Sequence, residues 1–502
     1  MSQRHKRPNR RASRKPPASG RQPVCRLTAR DVVTSAEELL AFHERFKSLF
    51  ARREQRAWSL LYLCGQLSNL ERKTIEPIVL ALLGPKANAI RTAQHFIGHG
   101  EWEAAPFLEQ AQGLVADWLG EPDGVVIVDG SGFPKQGGHS AGVAWQYCGH
   151  LGKLANSQQG VFMVYASRRG HAFLDARLYV PETWFTAEYG ERWQACGMPE
   201  ALTFQTEPAL GLAMITTLVQ RARVPFRWVT ADEKYGENPA FLDGIAALGK
   251  WYLAEVAADT RVWRRTPPIE PPGPSLFGPP RTRSRVKRTA PAPYEMRELL
   301  AHLPHSAWQR RIIKEGSKGP IVAEFAVVRV TPVRDKLPGP RCWAIFRRSL
   351  RPQPEVKFYL SNAPTSCPLH EFVRVSGLRW PVETAFEEAK GEAGMDHYET
   401  RTWAGWHHHM THAILAHLFL VRLCQVFQKK SRADHRPSPS VDRACDRRRA
   451  HRLTRHVGYS ALSPTPKLCG VSFAPQANTL TAQPTPVKAA QTLSFPVRVD
   501  LS

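Results

Sequence analysis

Two short apolar runs in this chain of 502 residues each stop at an aspartate. Val125-Val126-Ile127-Val128 leads to Asp129, and Phe226-Arg227-Trp228-Val229-Thr230-Ala231 leads to Asp232. A brief apolar run bounded by turn signals reads as a buried strand. An ionised carboxylate at the end of such a strand is costly unless it is paired or holds a metal. A single one reads as a turn or capping residue. Two in one α/β pattern point to a shared metal site, and oxygen-only ligands favour magnesium or manganese over zinc.

The pattern around the aspartates alternates between helical and strand periods. Residues 35–120 read as helical. Ser35 with Glu38, and Ser68 with Glu71, have capping-box spacing, and Gly84-Pro85 closes a helix. A further helix at 87–97 carries Arg91, Gln94 and His95. The region is either a helix-turn-helix reader of DNA or a plain helical bundle. After Asp129 comes a Gly-rich stretch with the polar residues Lys135, His139, Gln146, Tyr147, Lys153 and Asn156, expected to be a loop. Strands follow at 160–167 and 171–180, with Arg168-Arg169-Gly170 as the turn. A helix at 208–223 precedes the second aspartate, and Trp251–Val256 is a further strand. A proline-rich stretch at 266–293 leads into alternating segments near 308–314, 321–330, 341–347 and 356–361, a small β unit. Helical pattern returns from Pro381 to about 427, and 457–502 has no period.

Charge is distributed unevenly. The formal net charge is +25, with ten Lys/Arg and no acid in residues 1–30, and ten Lys/Arg against three acids in 429–456. The proline-rich stretch adds five against one. The excess therefore sits in irregular segments, suited to solvated tails or to phosphate-contacting arms. Nine scattered cysteines without a CxxC pair argue against a zinc ribbon or a disulfide framework. With no apolar leader at the N-terminus, a cytoplasmic protein is expected, with no membrane association. The apolar run 414–427 is interrupted by His417 and Arg422, and so is expected to be too short and too charged to span a bilayer.

The third carboxylate lies in LRWPVETAFEEAKGEAG. Pro381 suits a first helical turn, which places Glu383, Glu387 and Lys390 on one face. Glu388 is expected to matter least of the three glutamates. His407, His408, His409 and His412 read as a solvated or DNA-facing helix surface, and Trp403 and Trp406 as packing residues.

Three stretches carry a resemblance. The segment 128–180, the segment VTADEKYGEN (229–238) and the segment 379–409 resemble the catalytic segments of bacterial insertion-sequence transposases of the DDE superfamily-endonuclease group. Arg379, Glu383 and Lys390 stand at R-x3-E-x6-K, similar to the signature of cut-and-paste members. The preceding tyrosine of that signature is Ser376 here, and Asp129 is followed by Gly130 where many relatives have a second aspartate. The resemblance implies an α/β fold: an RNase H-like mixed sheet with helices, a β-rich insertion between the second Asp and the Glu, and a helical N-terminal domain. It implies that Asp129, Asp232 and Glu383 are catalytic and hold two Mg2+ ions, with Mn2+ able to substitute. Arg379, Lys390, Lys135 and Lys153 are the expected DNA contacts. The expected organisation is a basic arm (1–34), a helical DNA-binding domain (35–120), the first part of the core (121–262), the proline-rich loop and β insertion (263–365), the second part of the core (366–430) and a basic tail (431–502). The expected partner is double-stranded DNA, at element ends and target, with a homodimer in the synaptic complex on the bacterial nucleoid. A transposase-derived DNA-binding protein without catalysis and an RNase H-like nuclease are the other classes.

Deletion of residues 1–30 should weaken DNA binding broadly and flatten its salt dependence. Preference for specific ends should survive, because phosphate contacts carry little sequence information. Affinity measured against salt concentration, on specific and random duplexes, checks this.

Overall fold

The computed structural model describes residues 29–149, 151–273, 282–316 and 319–434. The arm before residue 29 and the tail after 434 lie outside the described residues. Five helices come first: α1 Ala29–Glu44, α2 Arg53–Gln66, α3 Ile75–Leu83, α4 Ala87–His99 and α5 Ala104–Leu119. Neither serine of the two capping-box patterns caps a helix start. Ser35 lies inside α1 and donates to Asp31 O at 2.8 Å, and Ser68 donates to Gly65 O at 2.6 Å just after α2. A Ser-x-x-Glu spacing cannot by itself distinguish a helix start from a helix interior or end, where the hydroxyl back-bonds to a carbonyl.

Strand period begins with β1 Val125–Pro134, then β2 Ala144–Cys148, β3 Lys153–Ser167 and β4 Gly170–Tyr179. The expected Gly-rich loop is in part a hairpin, with β2 paired antiparallel to the first half of β3. Helix α6 Glu207–Arg221 is capped by Thr206, which accepts from Ala209 N. Then follow β5 Trp228–Ala231, α7 Pro239–Ala247 and β6 Trp251–Val256. The insertion contributes β7 Gln309–Gly316, β8 Gly319–Arg334, β9 Cys342–Ser349 and β10 Val356–Ser361. Helices α8 Leu369–Gly377, α9 Trp380–Ala393 and α10 Trp403–Asp434 complete the described chain. The single helical stretch expected from Pro381 to 427 is thus two helices, broken where Gly394 takes φ 63°. That left-handed value ends α9 at little steric cost only for glycine.

Among the described residues the main sheet has thirteen strands. Its centre runs β4-β3-β1-β5-β6. β1, β5 and β6 are parallel to one another, and β3 is antiparallel to both β1 and β4. Three antiparallel strands followed by two parallel ones give the RNase H-like mixed sheet. The insertion does not form a separate sheet: β10 pairs antiparallel with β6, and β9 and β8 continue the same surface.

Both faces of the central sheet are covered, which explains the unbroken apolar run in β1. Val126 and Val128 belong to a core shared with α5, α6 and α7, while Val125 and Ile127 belong to a core shared with α8 and α9. Helix α10 serves both layers, with Leu418 and Phe419 in the first and Met410 and Ile414 in the second. By length and composition, the segment Trp403–Phe427 is apolar enough to cross a membrane, contrary to the reading of the sequence. The helix extends well N-terminal of the apolar run, which makes it longer than the sequence reading allowed. Most of this segment is buried within the described structure, so α10 has the character of a core helix.

The histidines of α10 are therefore not a solvated surface. Tyr62 Oη lies 2.8 Å from His409 Nδ1, and His409 Nε2 donates to Met395 O at 3.0 Å. His408 stacks on Trp102 at 3.8 Å. Burial pushes His409 and His412 down to about 3, so both are neutral packing residues. Trp406 is fully buried, as expected.

Candidate active site

Strand period fixes where the carboxylates point. Val125 and Ile127 face the α8–α9 layer, so Asp129, two residues on, faces it too. In β5, Trp228 faces the same layer, which places Asp232 on that side. In β6, Leu253 does so, and hence also Glu255. The parallel register pairs Val128 with Ala231 and Ala231 with Ala254. Asp129, Asp232 and Glu255 are the next residues on three adjacent strands, a row of carboxylates on one face. The row lies where parallel pairing of β1 ends. Asp129 itself is not at the end of its strand, because β1 continues to Pro134 along β3. The chain beyond β5 turns away instead, and Asp232 caps a short helix by accepting from Tyr235 N at 3.4 Å.

Arg379, the N-cap residue of α9, supplies the counter-charge. Its Nη1 donates to Glu255 Oε2 at 3.1 Å, and Lys357 from β10 donates to Glu255 Oε1 at 2.9 Å. The carboxylates of Asp129, Glu255 and Asp232 all hold the Arg379 guanidinium more firmly protonated, against the effect of its burial. Burial pushes the Asp129 carboxyl up to about 7. Asp232 and Glu383 push in the same direction, while Arg379 and the Gly130 N–H, which donates to Asp129 Oδ1 at 2.8 Å, oppose them. Asp232 is likewise raised by burial, with Arg379 opposing.

Asp129 and Glu383 line one cleft of about 790 Å3, together with Gln159, Phe386, Glu387 and Lys390. Glu383 is in the first turn of α9. Lys390 is partly buried, its ammonium 5.3 Å from the Phe133 ring centre, and burial lowers its pKa. The oxygens of the three predicted ligands do not all come within 4.8 Å of one another. Among the described residues, the one three-ligand cluster that close is His171, Glu388 and His417. Lys135 is engaged elsewhere, its ammonium 3.2 Å from the Tyr398 ring centre and donating to Tyr398 O at 2.9 Å; burial lowers it to about 7. Lys153 is exposed at the β2–β3 hairpin, opposite Cys148 and close in sequence to Gly149 of the cleft.

Two departures from the signature now have structural settings. Ser376 is buried in α8 and donates to Val373 O at 2.8 Å, so this position faces the protein interior. A Cβ on Gly130 would lie 3.1 Å from Glu207 Oε2, a carboxylate that is buried and ion-paired with Lys234. A second aspartate here would press a like charge onto Glu207. Glu207 and Glu255 went unnoticed in the sequence. Glu255 had a signal, since it is the one charged residue in the apolar strand Trp251–Val256. Glu388, expected to matter least of the three glutamates, is held by His171 and His417 rather than lying on a free surface.

Residues 45–320 match the family described as DDE superfamily endonuclease. The chain belongs to this family. It is similar to the "Probable transposase for insertion sequence element IS701" of Microchaete diplosiphon, 29% identical over 217 residues. That match covers 43% of this chain and 52% of the relative, so the chain spans about half the length of the curated relative it matches. Among solved structures it is similar to a piggyBac transposase in a synaptic complex with hairpin DNA, with TM-score 0.39 and 10% identity, covering 86% of this chain and 80% of that one. The family match includes both aspartates and ends before Glu383.

The raised Asp129 pKa has a stability consequence. Its folded value, about 7, exceeds the ordinary 3.8. The fold therefore favours the protonated form: stability is fullest below pH about 4, declines as pH rises, and has lost this contribution above about 7. In chelator at pH 8, Asp129→Asn should raise Tm by about 1–3 °C. The gain should vanish toward pH 4 in a pH series of thermal unfolding. Gly130→Asp should lower Tm, and pairing it with Glu207→Gln should recover part of the loss.

Proposed function

We propose that the chain is a transposase that binds the ends of an insertion sequence, cuts DNA there and joins it to a target, with Asp129, Asp232 and Glu383 as its catalytic carboxylates. The observation that carries this reading is the in-register placement of Asp129 and Asp232 on one sheet face, with Glu383 from α9 in the cleft that Asp129 lines. The donors suit a hard divalent cation. All are carboxylate oxygens, Asp129 is burdened by neighbouring negative charge, and Gln159 in the same cleft has a buried Oε1 without a hydrogen-bond partner among the described residues. Two Mg2+ ions, or Mn2+, would be held by Asp129, Asp232 and Glu383 and would supply Lewis acidity for phosphodiester cleavage and strand transfer.

The remaining roles follow from charge and position. Arg379 stays protonated over the aspartates and limits their repulsion when the cleft is empty. Lys390 offers an ammonium to a phosphate entering the cleft, where partial burial strengthens the attraction. Lys153 meets the backbone from the hairpin, and Lys135 supports the chain segment around Tyr398 behind it. Trp145 and Tyr147, 71% and 61% exposed on the same hairpin, present flat faces on which bases can stack. Cleavage at an element end frees a 3′-hydroxyl, which then attacks the target strand. Double-stranded DNA is the partner, and two copies act together because an element has two ends.

The test is cleavage of duplexes carrying the element's ends. Glu383→Gln should abolish cleavage, by about 1000-fold or more, while leaving end binding intact; losing one stabilising group of a reaction centre costs that order. Glu387→Gln should lower the rate less, since Glu387 lies ~6 Å further along the helix axis. If Glu383→Gln cuts at the wild-type rate and Glu387→Gln does not, the third carboxylate is Glu387. Cleavage that persists in excess chelator overturns the metal reading.

A further inference from the structure

On the side of α9 away from the cleft, Glu388 meets two histidines from different elements. His171 is on β4 and His417 is on α10. The two Nε2 atoms lie 3.1 and 3.2 Å from the same oxygen, Glu388 Oε2. The three donor atoms are all within 4.8 Å of one another. His417 is 1% exposed and His171 8%, while Glu388 keeps 19%, leaving a route from solvent. Phe173 packs edge-on against His417 at 5.2 Å and Phe386 against Phe173 at 5.4 Å, which walls the cluster with apolar rings.

A carboxylate in such a setting needs a positive partner. The charged groups acting on Glu388 are His171 and His417, and no lysine or arginine is among its ion-pair partners in the described structure. Either an imidazole takes up a proton or a cation joins the cluster. The separations are those of hydrogen bonds, and they also accommodate the second case. A tetrahedral ion with ligands at 2.0–2.1 Å has donor–donor edges of about 3.3 Å, close to the two nitrogen–oxygen separations. Two imidazoles with one carboxylate suit zinc, unlike the oxygen-only set in the cleft.

We propose that His171, Glu388 and His417 form a zinc site, with water as the fourth ligand, that ties α9 to β4 and α10. The site lies outside the catalytic cleft and does not depend on the chemistry assigned there. Its ligands come from sequence positions 171, 388 and 417, so the ion would join three elements that the chain connects only over long distances.

The experiment is metal analysis of the full-length protein, purified without chelator, followed by removal of metal and titration with Zn2+ and with Co2+. Wild type should hold about one Zn2+ per chain. Its Co2+ form should show the intense visible absorption of a tetrahedral ion, whereas carboxylate-and-water sites absorb weakly. Asp129→Asn should keep both properties, and Glu388→Gln and His417→Gln should lose both. Added Zn2+ should raise the Tm of metal-free wild type and leave that of Glu388→Gln unchanged. If these variants do not fold, His171→Asn and the wild-type Co2+ spectrum carry the test. A wild type that binds no Zn2+ and gives no tetrahedral Co2+ spectrum overturns the site, leaving a metal-free His–Glu–His hydrogen-bonded cluster. Binding that all ligand variants retain overturns it as well.

Discussion

The arrangement of the core depends on one electrostatic constraint: three carboxylates in register on one sheet face, with one guanidinium over them. Asp129, Asp232 and Glu255 follow from the parallel pairing of β1, β5 and β6, which aligns the residues after Val128, Ala231 and Ala254. Like charges at strand spacing, under a helical layer, are unfavourable without a counter-ion. Arg379, at the N-cap of α9, answers part of this demand. The Asp129 carboxyl is still pushed up, by burial first and by Asp232 and Glu383 after it. Protonation of Asp129 relieves this burden, and so would the divalent ions proposed for the cleft.

The same constraint gives the insertion a structural part. Lys357 on β10 donates to Glu255 beside Arg379, so a residue from the inserted unit helps to fix the arginine. Because β10 pairs with β6, the insertion extends the sheet rather than hanging from it. Its bulk lies on the edge beyond β6, while the β2–β3 hairpin lies beyond β1 on the other side of the row. The cleft is thus flanked by two extensions of one sheet.

Much of this was legible in the sequence because it rests on short-range regularities. The short apolar runs VVIV and FRWVTA located both aspartates, and the parallel register then shows the face they share. Pro381 located the start of the helix that bears Glu383, and the alternating segments after the proline-rich stretch located the β unit. What escaped depended on tertiary context. Ser35 and Ser68 satisfy a capping pattern, yet their hydroxyls bond backward to carbonyls. The histidines of α10 are polar by composition, and only the packing of α2, α4 and Trp102 around them makes them interior. The β2 strand of the hairpin, Ala144–Cys148, is short and set among glycines, and its alternation of Trp145 and Tyr147 was passed over. Glu255 could have been found as a charge in an apolar strand, but its partner Arg379 is 124 residues away.

Helix geometry explains how one segment serves two places. Residues four apart on a helix differ by about 40° around its axis, and residues five apart by about 140°. Glu383 and Glu387 accordingly share the cleft. Glu388 points nearly the opposite way, to His171 and His417. Between these faces Val382, Ala385 and Ala389 are buried in the sheet-facing core. The small alanines let α9 approach closely, and a bulkier residue at either position would displace the helix. Any shift that loosens Glu388 therefore moves Glu383, because both ride on one rigid element less than two turns long between them. Position at the cleft is set from the far side of the helix as well as from Arg379 at its start.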